Sequence, residues 1–137
     1  MDGCGIPTYA IPLQSMALAM ARLANPDSLD SHIQKAVAQV NVAIKKHPLL
    51  LGGTESFSSK VVAETEGRVF AKMGAEGVYG VWLPQEGIAL GVKCEDGNVR
   101  AAECAVAAIL RDLGHPVSYS PLLKRWTGEV VGQLLLH

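Results

Sequence analysis

The segment from Arg68 to Cys94, RVFAKMGAEGVYGVWLPQEGIALGVKC, carries the strongest strand signals in the sequence. β-Branched and aromatic residues are concentrated in three short runs, which predict strands at 68–72, 77–83 and 88–94. Pro84-Gln85-Glu86-Gly87 joins the second run to the third. A turn this short requires antiparallel pairing, because parallel strands need a long crossover connection. We therefore predict an antiparallel meander.

Two helices are predicted before this segment. The first begins at Pro12 and ends before Pro26, and its apolar residues lie nearly all round, which predicts a buried helix. The second begins near Asp27 or Ser28 and ends at His47. It alternates apolar and polar residues at helical spacing, so we expect it at the surface with one apolar face turned inward.

Three further elements complete the predicted fold. Ser56 or Ser58 caps a short helix that reaches Glu66. A helix over residues 99–113 is expected to cover the sheet, and residues 130–136 are predicted to add an edge strand. The covering face of that helix is predicted to consist of Ala102, Val106, Ile109 and Leu113. The pattern as a whole predicts an α+β fold in which helices cover an antiparallel sheet.

Length and composition exclude several classes of protein. A chain of 137 residues fits one domain, predicted to span 1–137, and its net charge of −1 offers no basic surplus for nucleic acid or an anionic membrane. The apolar runs are too short to cross a bilayer. The first residues have neither a basic nor an apolar signal region, and the three cysteines show no disulfide spacing. We therefore predict a soluble, cytoplasmic protein.

Lys72 stands out among the candidate functional residues. It lies at the end of a predicted strand and is followed by Gly74, Gly77 and Gly80. Backbone without side chains allows a ligand to approach the main chain closely. The arrangement therefore predicts a binding site in which a lysine acts beside exposed backbone.

Other polar and sulfur-containing residues give weaker signals. The four histidines are scattered, and we expect ordinary surface positions for them. Cys104 shares a predicted helix face with two arginines, and it is either a partly exposed thiol with a favoured thiolate or a small packing residue. Asp2 and Cys4 lie in a glycine-rich loop. This loop either orients functional side chains, free of burial constraints, or is a poorly ordered terminus.

Four motifs together resemble one known family. They are Asp2-Gly3-Cys4-Gly5-Ile6-Pro7, Lys72-Met73-Gly74-Ala75-Glu76-Gly77-Val78, the stretch 95–103, and Trp126-Thr127-Gly128-Glu129-Val130-Val131-Gly132. In this order they resemble the C-terminal portion of the L-asparaginase II family, the rhizobial-type, thermolabile asparaginases. That family is similar in fold to serine β-lactamases and glutaminases. The resemblance implies a partial β-lactamase-like domain.

The resemblance also implies a chemistry and its residues. Family members are Ser-Lys amidohydrolases that convert asparagine to aspartate and ammonia through an acyl-enzyme. Lys72 matches the catalytic lysine, and Gly74 and Gly77 match the backbone beside the substrate. Asp2 matches the acid that receives the substrate's α-amino group, and Cys4 matches one ligand of a zinc site that is incomplete on this chain. We expect Lys72 to be packed among apolar strand residues, which favours a neutral amine.

The sequence departs from the family in one respect. The family's paired serines, its Ser-x-x-Lys segment and its other zinc ligands lie upstream of the Asp-Gly-Cys-Gly loop, where this chain begins. Ser56, Ser58, Ser59 and Ser118 do not reproduce the missing segment. We therefore expect no activity from the chain alone.

Two alternatives remain open at the level of sequence. One is a non-catalytic binding or assembly module, either a homo-oligomer or a subunit whose partner chain supplies the missing half. The other is a thiol- or metal-responsive protein that uses Cys4, Cys94 and Cys104.

Overall fold

The computed structural model describes residues 5–134, which form a mixed α+β structure as predicted. The helices and strands in chain order are α1 (Leu13–Ala24), α2 (Ser31–Lys46), α3 (Leu49–Gly52), α4 (Phe57–Glu64), β1 (Phe70–Gly74), β2 (Val78–Leu83), β3 (Ile88–Lys93), α5 (Val99–Asp112), β4 (Leu122–Lys124) and β5 (Val130–Gln133).

The central sheet confirms the predicted meander. Its strand order is β1-β2-β3 with both pairs antiparallel. In the register of the sheet, Lys72 is opposite Gly80, and Gly80 is opposite Gly91. Since paired residues point to the same face and neighbours along a strand to opposite faces, this row and the row containing Tyr79 lie on different sides of the sheet.

The larger hydrophobic cluster lies on the Tyr79 side, between the sheet, α4 and α5. Val81 and Leu83 of β2 are fully buried there, together with Val106 and Leu110 of α5. The prediction that α5 covers the sheet is confirmed, but its predicted face is partly wrong. Ile109 is 36% exposed because α5 is rotated so that the stripe through Ala102, Val106 and Leu110, spaced by four residues, meets the sheet.

Helix α1 packs on the opposite side of the sheet. Met20 lies over Gly80 and Met16 over Gly91, so bare backbone lets the helix come close to β2 and β3. The predicted burial of α1 is wrong: Ala24 is its one buried residue, and Leu18 is 55% exposed. Only one side of the helix meets the sheet, and no described residue covers the other.

Helix α2 lies at the surface, as predicted, with Val37 as its one buried residue. Its Asn41 accepts a hydrogen bond of 3.0 Å from the Trp82 indole N–H. Trp82 in turn stacks on Phe70, with ring centroids 5.3 Å apart. Through this contact α2 is attached to the same side of the sheet as α1.

The strand predicted near the C-terminal end is present as β5, but it does not add to the edge of the central sheet. Strands β4 and β5 pair with each other in a separate two-stranded sheet, and their residues are exposed or half-buried. One position on the open edge of β1 is already occupied, because the Met73 N–H donates to the Ser58 hydroxyl.

No helix within residues 5–134 is both long enough and apolar enough to cross a membrane.

Candidate functional site

The turn between β1 and β2 is held by its own contacts. Glu76 and Gly77 have positive φ angles of 56° and 69°, which strongly favours glycine at the second position. The Lys93 ammonium donates to the carbonyls of Glu76, at 2.6 Å, and of Cys94, at 2.7 Å. The turn is therefore tied to the end of β3.

Gly77 has a packing reason to lack a side chain. A Cβ there would lie 2.9 Å from the carbonyl carbon of Gly97 and 3.0 Å from the Cys94 Cβ. The Gly77 carbonyl also accepts a hydrogen bond from the Cys94 N–H at 2.9 Å. These contacts explain why residue 77 is a glycine even if no ligand binds there. The role of Gly77 in substrate binding stays a prediction.

Lys72 is exposed on edge strand β1, on the side of the sheet covered by α1. Its Nζ donates to the Met73 carbonyl at 3.0 Å. The expectation that apolar strand residues surround Lys72 is wrong, because the residue opposite is Gly80 and α1 crosses over β2 and β3 instead. The amine is open to a ligand from solvent.

Gly74 points to the same side of β1 as Lys72, two residues further along, and is half-buried. A Cβ at Gly74 would lie 3.3 Å from the Val78 Cβ, which is tight but not blocked. Lys72 and Gly74 therefore form one surface at the end of the hairpin.

Two predicted site residues, Asp2 and Cys4, lie outside the described residues. Within residues 5–134 there is no group of three or more His, Cys, Asp or Glu side chains that could hold a metal ion. The zinc site implied by the resemblance stays a prediction.

The serines of this sequence all fall within the described residues. Ser58 and Ser59 are buried, at 0% and 2% exposure. Ser58 accepts the Met73 N–H at 3.3 Å and lies 3.5 Å from the Tyr79 hydroxyl, to which it donates. Ser58 therefore links α4 to β1. Because its hydroxyl is buried, a substrate cannot approach it as it would a nucleophile.

Sequence reasoning missed a polar cluster beyond this link. The Glu103 carboxylate accepts hydrogen bonds from the Tyr79 hydroxyl, at 3.0 Å, and the Tyr119 hydroxyl, at 2.5 Å. Burial, with Glu103 close by, raises the pKa of both tyrosines well above the usual range. Both hydroxyls therefore remain protonated donors at neutral pH.

One sequence signal for this cluster did exist. Glu103 precedes Ala107 by four residues and Leu110 by seven, which places an acid on the buried stripe of α5. An acid on such a stripe predicts a buried partner, but the spacing of Tyr79 and Tyr119 from it along the chain has no regular pattern.

A cleft of about 640 Å³ adjoins this cluster, on the α4 and α5 side of the sheet. It is bounded by the start of α4, by Glu103 and by residues 118–121. The hydroxyls of Ser56 and Ser59 are buried at its wall without a partner among the described residues. The cleft and Lys72 therefore lie on opposite sides of the sheet.

Two further predictions need correction. Burial, followed by the charge of Glu103, raises the pKa of the half-buried Cys104 thiol. The prediction of a favoured thiolate is therefore wrong, and the alternative of a packing residue fits better.

His115 is buried, at 9% exposure, and its Nε2 lies 2.5 Å from Glu86, so it is not an ordinary surface residue.

Comparison with known proteins gives one family. The family model described as L-asparaginase II matches residues 1–135. The matched range includes Lys72, Gly74 and Gly77, and also Asp2 and Cys4. A search of curated proteins found no match.

Proposed function

The chain belongs to the L-asparaginase II family, and from that membership we propose that it takes part in hydrolysing the side-chain amide of a small amino acid such as asparagine. The products are aspartate and ammonia. The observation that carries the proposal is the match over residues 1–135, combined with the open position of Lys72 on β1. No nucleic acid or membrane takes part.

Lys72 is the proposed proton-transfer residue. Its amine accepts the proton of a serine hydroxyl while the serine oxygen attacks the amide carbon, and the proton passes to the leaving nitrogen. The C–N bond breaks, ammonia leaves, and water then hydrolyses the acyl-enzyme to aspartate and free serine. Exposed Lys72 and half-buried Gly74 share one surface at the strand end, which supports placing the amide there.

Asp2 is proposed to receive the ammonium group of the substrate, since an acid–ammonium pair is a strong charge-assisted contact. Cys4 is proposed as one zinc ligand, with the remaining ligands supplied from elsewhere, because a structural zinc normally has about four. A bound zinc would hold the loop in place.

We propose that the nucleophilic serine comes from outside residues 1–137. No serine in the sequence is followed by a lysine at the third position after it, and Ser58 and Ser59 are buried. A partner chain that carries a Ser-x-x-Lys segment is the proposed source.

Ammonia release from asparagine and glutamine tests this proposal. The purified chain is expected to release none. When it is mixed with a chain that carries the Ser-x-x-Lys half of a family member, release is expected from the wild type and from Lys124→Met, an exposed control lysine, but not from Lys72→Met. Serine-dependent turnover by the chain alone, or full activity of Lys72→Met in the mixture, would refute the assignment.

A second candidate function is that of an assembly subunit without catalytic chemistry. The observation that favours it is the uncovered apolar surface in and before α1, where Tyr9 is 92%, Ile6 62% and Leu18 55% exposed. An exposed apolar surface of this kind marks a contact with another protein. Sedimentation of the wild type as a monomer, with no change in Leu18→Glu, would count against this function.

A further inference from the structure

The cleft beside α4 has no part in the proposed amide hydrolysis. Glu103 at its wall bonds to Tyr79, which points away from the side of the sheet that carries Lys72. A ligand in this cleft and the Lys72 side chain therefore lie on opposite sides of the sheet. The cleft is nevertheless lined by a carboxylate without an ion-pair partner and by buried serine hydroxyls without hydrogen-bond partners among the described residues.

One wall of the cleft carries the Glu103 carboxylate, a hydrogen-bond acceptor. Both carboxylate oxygens of Glu103 accept a tyrosine hydrogen bond, yet within residues 5–134 no cation forms an ion pair with this carboxylate. Each oxygen retains a second lone pair. A half-buried carboxylate without a counter-charge is a site for an ammonium group.

The opposite wall supplies donors. It is the N-terminal turn of α4, whose first backbone N–H groups have no acceptor within the helix. Ser59 is 98% buried, and neither its hydroxyl nor that of Ser56 has a partner among the described residues. A buried hydroxyl left unpaired is costly, so a polar ligand atom at this wall would remove that cost.

Two neighbouring residues keep this wall in place. A Cβ on Gly52 would lie 2.3 Å from the Ser56 Oγ, so the bare glycine leaves room for that hydroxyl. Lys60, which also lines the cleft, forms a half-exposed ion pair with Glu64 at 3.8 Å. Because Glu64 balances this positive charge, the attraction for an anionic group comes chiefly from the start of α4 and the two serines.

We propose that the cleft binds a free α-amino acid with an apolar side chain. The ammonium group pairs with Glu103, and the carboxylate accepts hydrogen bonds from the start of α4 and from Ser56 and Ser59. The side chain lies against Leu49, Ala63 and Pro121. The cleft volume of about 640 Å³ falls in the range of small-molecule sites.

Titration of the ¹⁵N-labelled full chain with L-leucine tests this site by NMR. We expect saturable shifts of the backbone amides at residues 56–60 and 118–120. The matched analogues 3-methylbutylamine, which lacks the carboxylate, and 4-methylpentanoate, which lacks the ammonium, should each bind at least about tenfold more weakly. Absence of shifts with leucine, or equal binding of either analogue, would overturn the proposal.

A variant locates the ammonium contact. Glu103→Gln should raise the dissociation constant for leucine at least about tenfold, whereas Glu95→Gln, an exposed acid away from the cleft, should leave it unchanged. Unchanged affinity in a folded Glu103→Gln chain would overturn the assignment. If that variant does not fold, the analogue series on the wild type decides.

The outcome is separable from that of the proposed hydrolysis. Lys72→Met should bind leucine as the wild type does, because Lys72 lies on the other side of the sheet. Loss of leucine binding in a folded Lys72→Met chain would contradict the placement of the site in this cleft.

Discussion

Lys72 is paired with Gly80 across the β1–β2 ladder, and Gly80 is the position over which Met20 of α1 packs. The lysine therefore lies at the margin of the helix–sheet contact rather than beneath it. The Lys72 amine is therefore exposed, while strand β1, which carries it, packs against the hydrophobic core through Ala71.

Substitution of Gly80 tests the close approach of α1. A Cβ there would lie 2.9 Å from the Met20 sulfur, so Gly80→Val should push the Met20 side chain out of its contact with β2 and lower the free energy of unfolding by about 1–3 kcal/mol. Urea denaturation measures the change. Gly132→Ala is the control, since the nearest atom to its added Cβ is the Leu123 Cδ1 at 3.5 Å. Equal stability of Gly80→Val and the wild type would contradict the packing.

Gly77 offers a sharper comparison. Gly77→Ala combines a positive φ with a clash against Gly97, whereas Gly87→Ala has a similar φ of 66° and open space. The left-handed conformation alone costs about 1–2 kcal/mol, and the clash should add about 1–3 kcal/mol more. Thermal or urea unfolding of both variants measures the difference. Equal losses would show that the contact with the Cys94–Asn98 turn is not what requires glycine.

The meander could be predicted from sequence because its signals are local. Alternating β-branched residues and the turn 84–87 specify adjacent strands without reference to the rest of the chain. The exposure of α1 could not be predicted, because an apolar helix such as this one is buried only where a neighbour covers it. The rotation of α5 likewise depends on the residues it meets, which periodicity alone does not identify.

For the candidate site, the sequence identified the family motif, while the roles of its residues stay predictions. The motif around Lys72 is continuous in sequence, and the family match bears out its ancestry. The cluster of Ser58, Tyr79, Glu103 and Tyr119 joins α4, β2, α5 and the loop before β4, which are distant along the chain. Only the tertiary fold brings these residues together, so the helical spacing of Glu103 could indicate a buried acid but could not identify its partners.

Two neighbouring serines form a matched pair for stability. Ser58→Ala removes the acceptor of the Met73 N–H and a contact to Tyr79, and should cost about 1–3 kcal/mol. Ser59 is as buried but has no partner among the described residues, so Ser59→Ala should be close to neutral. Urea denaturation compares the two, and a greater loss for Ser59→Ala would contradict the hydrogen-bond assignment.

The buried tyrosines predict how stability depends on pH. Their pKa values in the folded chain are raised above the usual 10.0, so the folded state holds its protons more tightly than the unfolded state does. The stability they provide is fully present below pH 10 and is lost as pH rises from there, by up to about 1.4 kcal/mol per pH unit for each tyrosine.

Urea unfolding between pH 8 and pH 11 measures this loss. The double variant Tyr79→Phe with Tyr119→Phe should show a shallower decline than the wild type above pH 10. The variant Tyr9→Phe, at a residue that is 92% exposed, is the control and should follow the wild type. Identical slopes in the double variant and the wild type would contradict the burial of these hydroxyls.

Lys72 and the turn beside it are proposed to form a site for a small amino acid amide. The most direct measurement is an NMR titration of the ¹⁵N-labelled full chain with L-asparagine, which does not require turnover. We predict saturable shifts at residues 72–78 that are lost in Lys72→Met and kept in Lys124→Met. Absence of shifts at 72–78 in the wild type, or their persistence in Lys72→Met, would contradict the account.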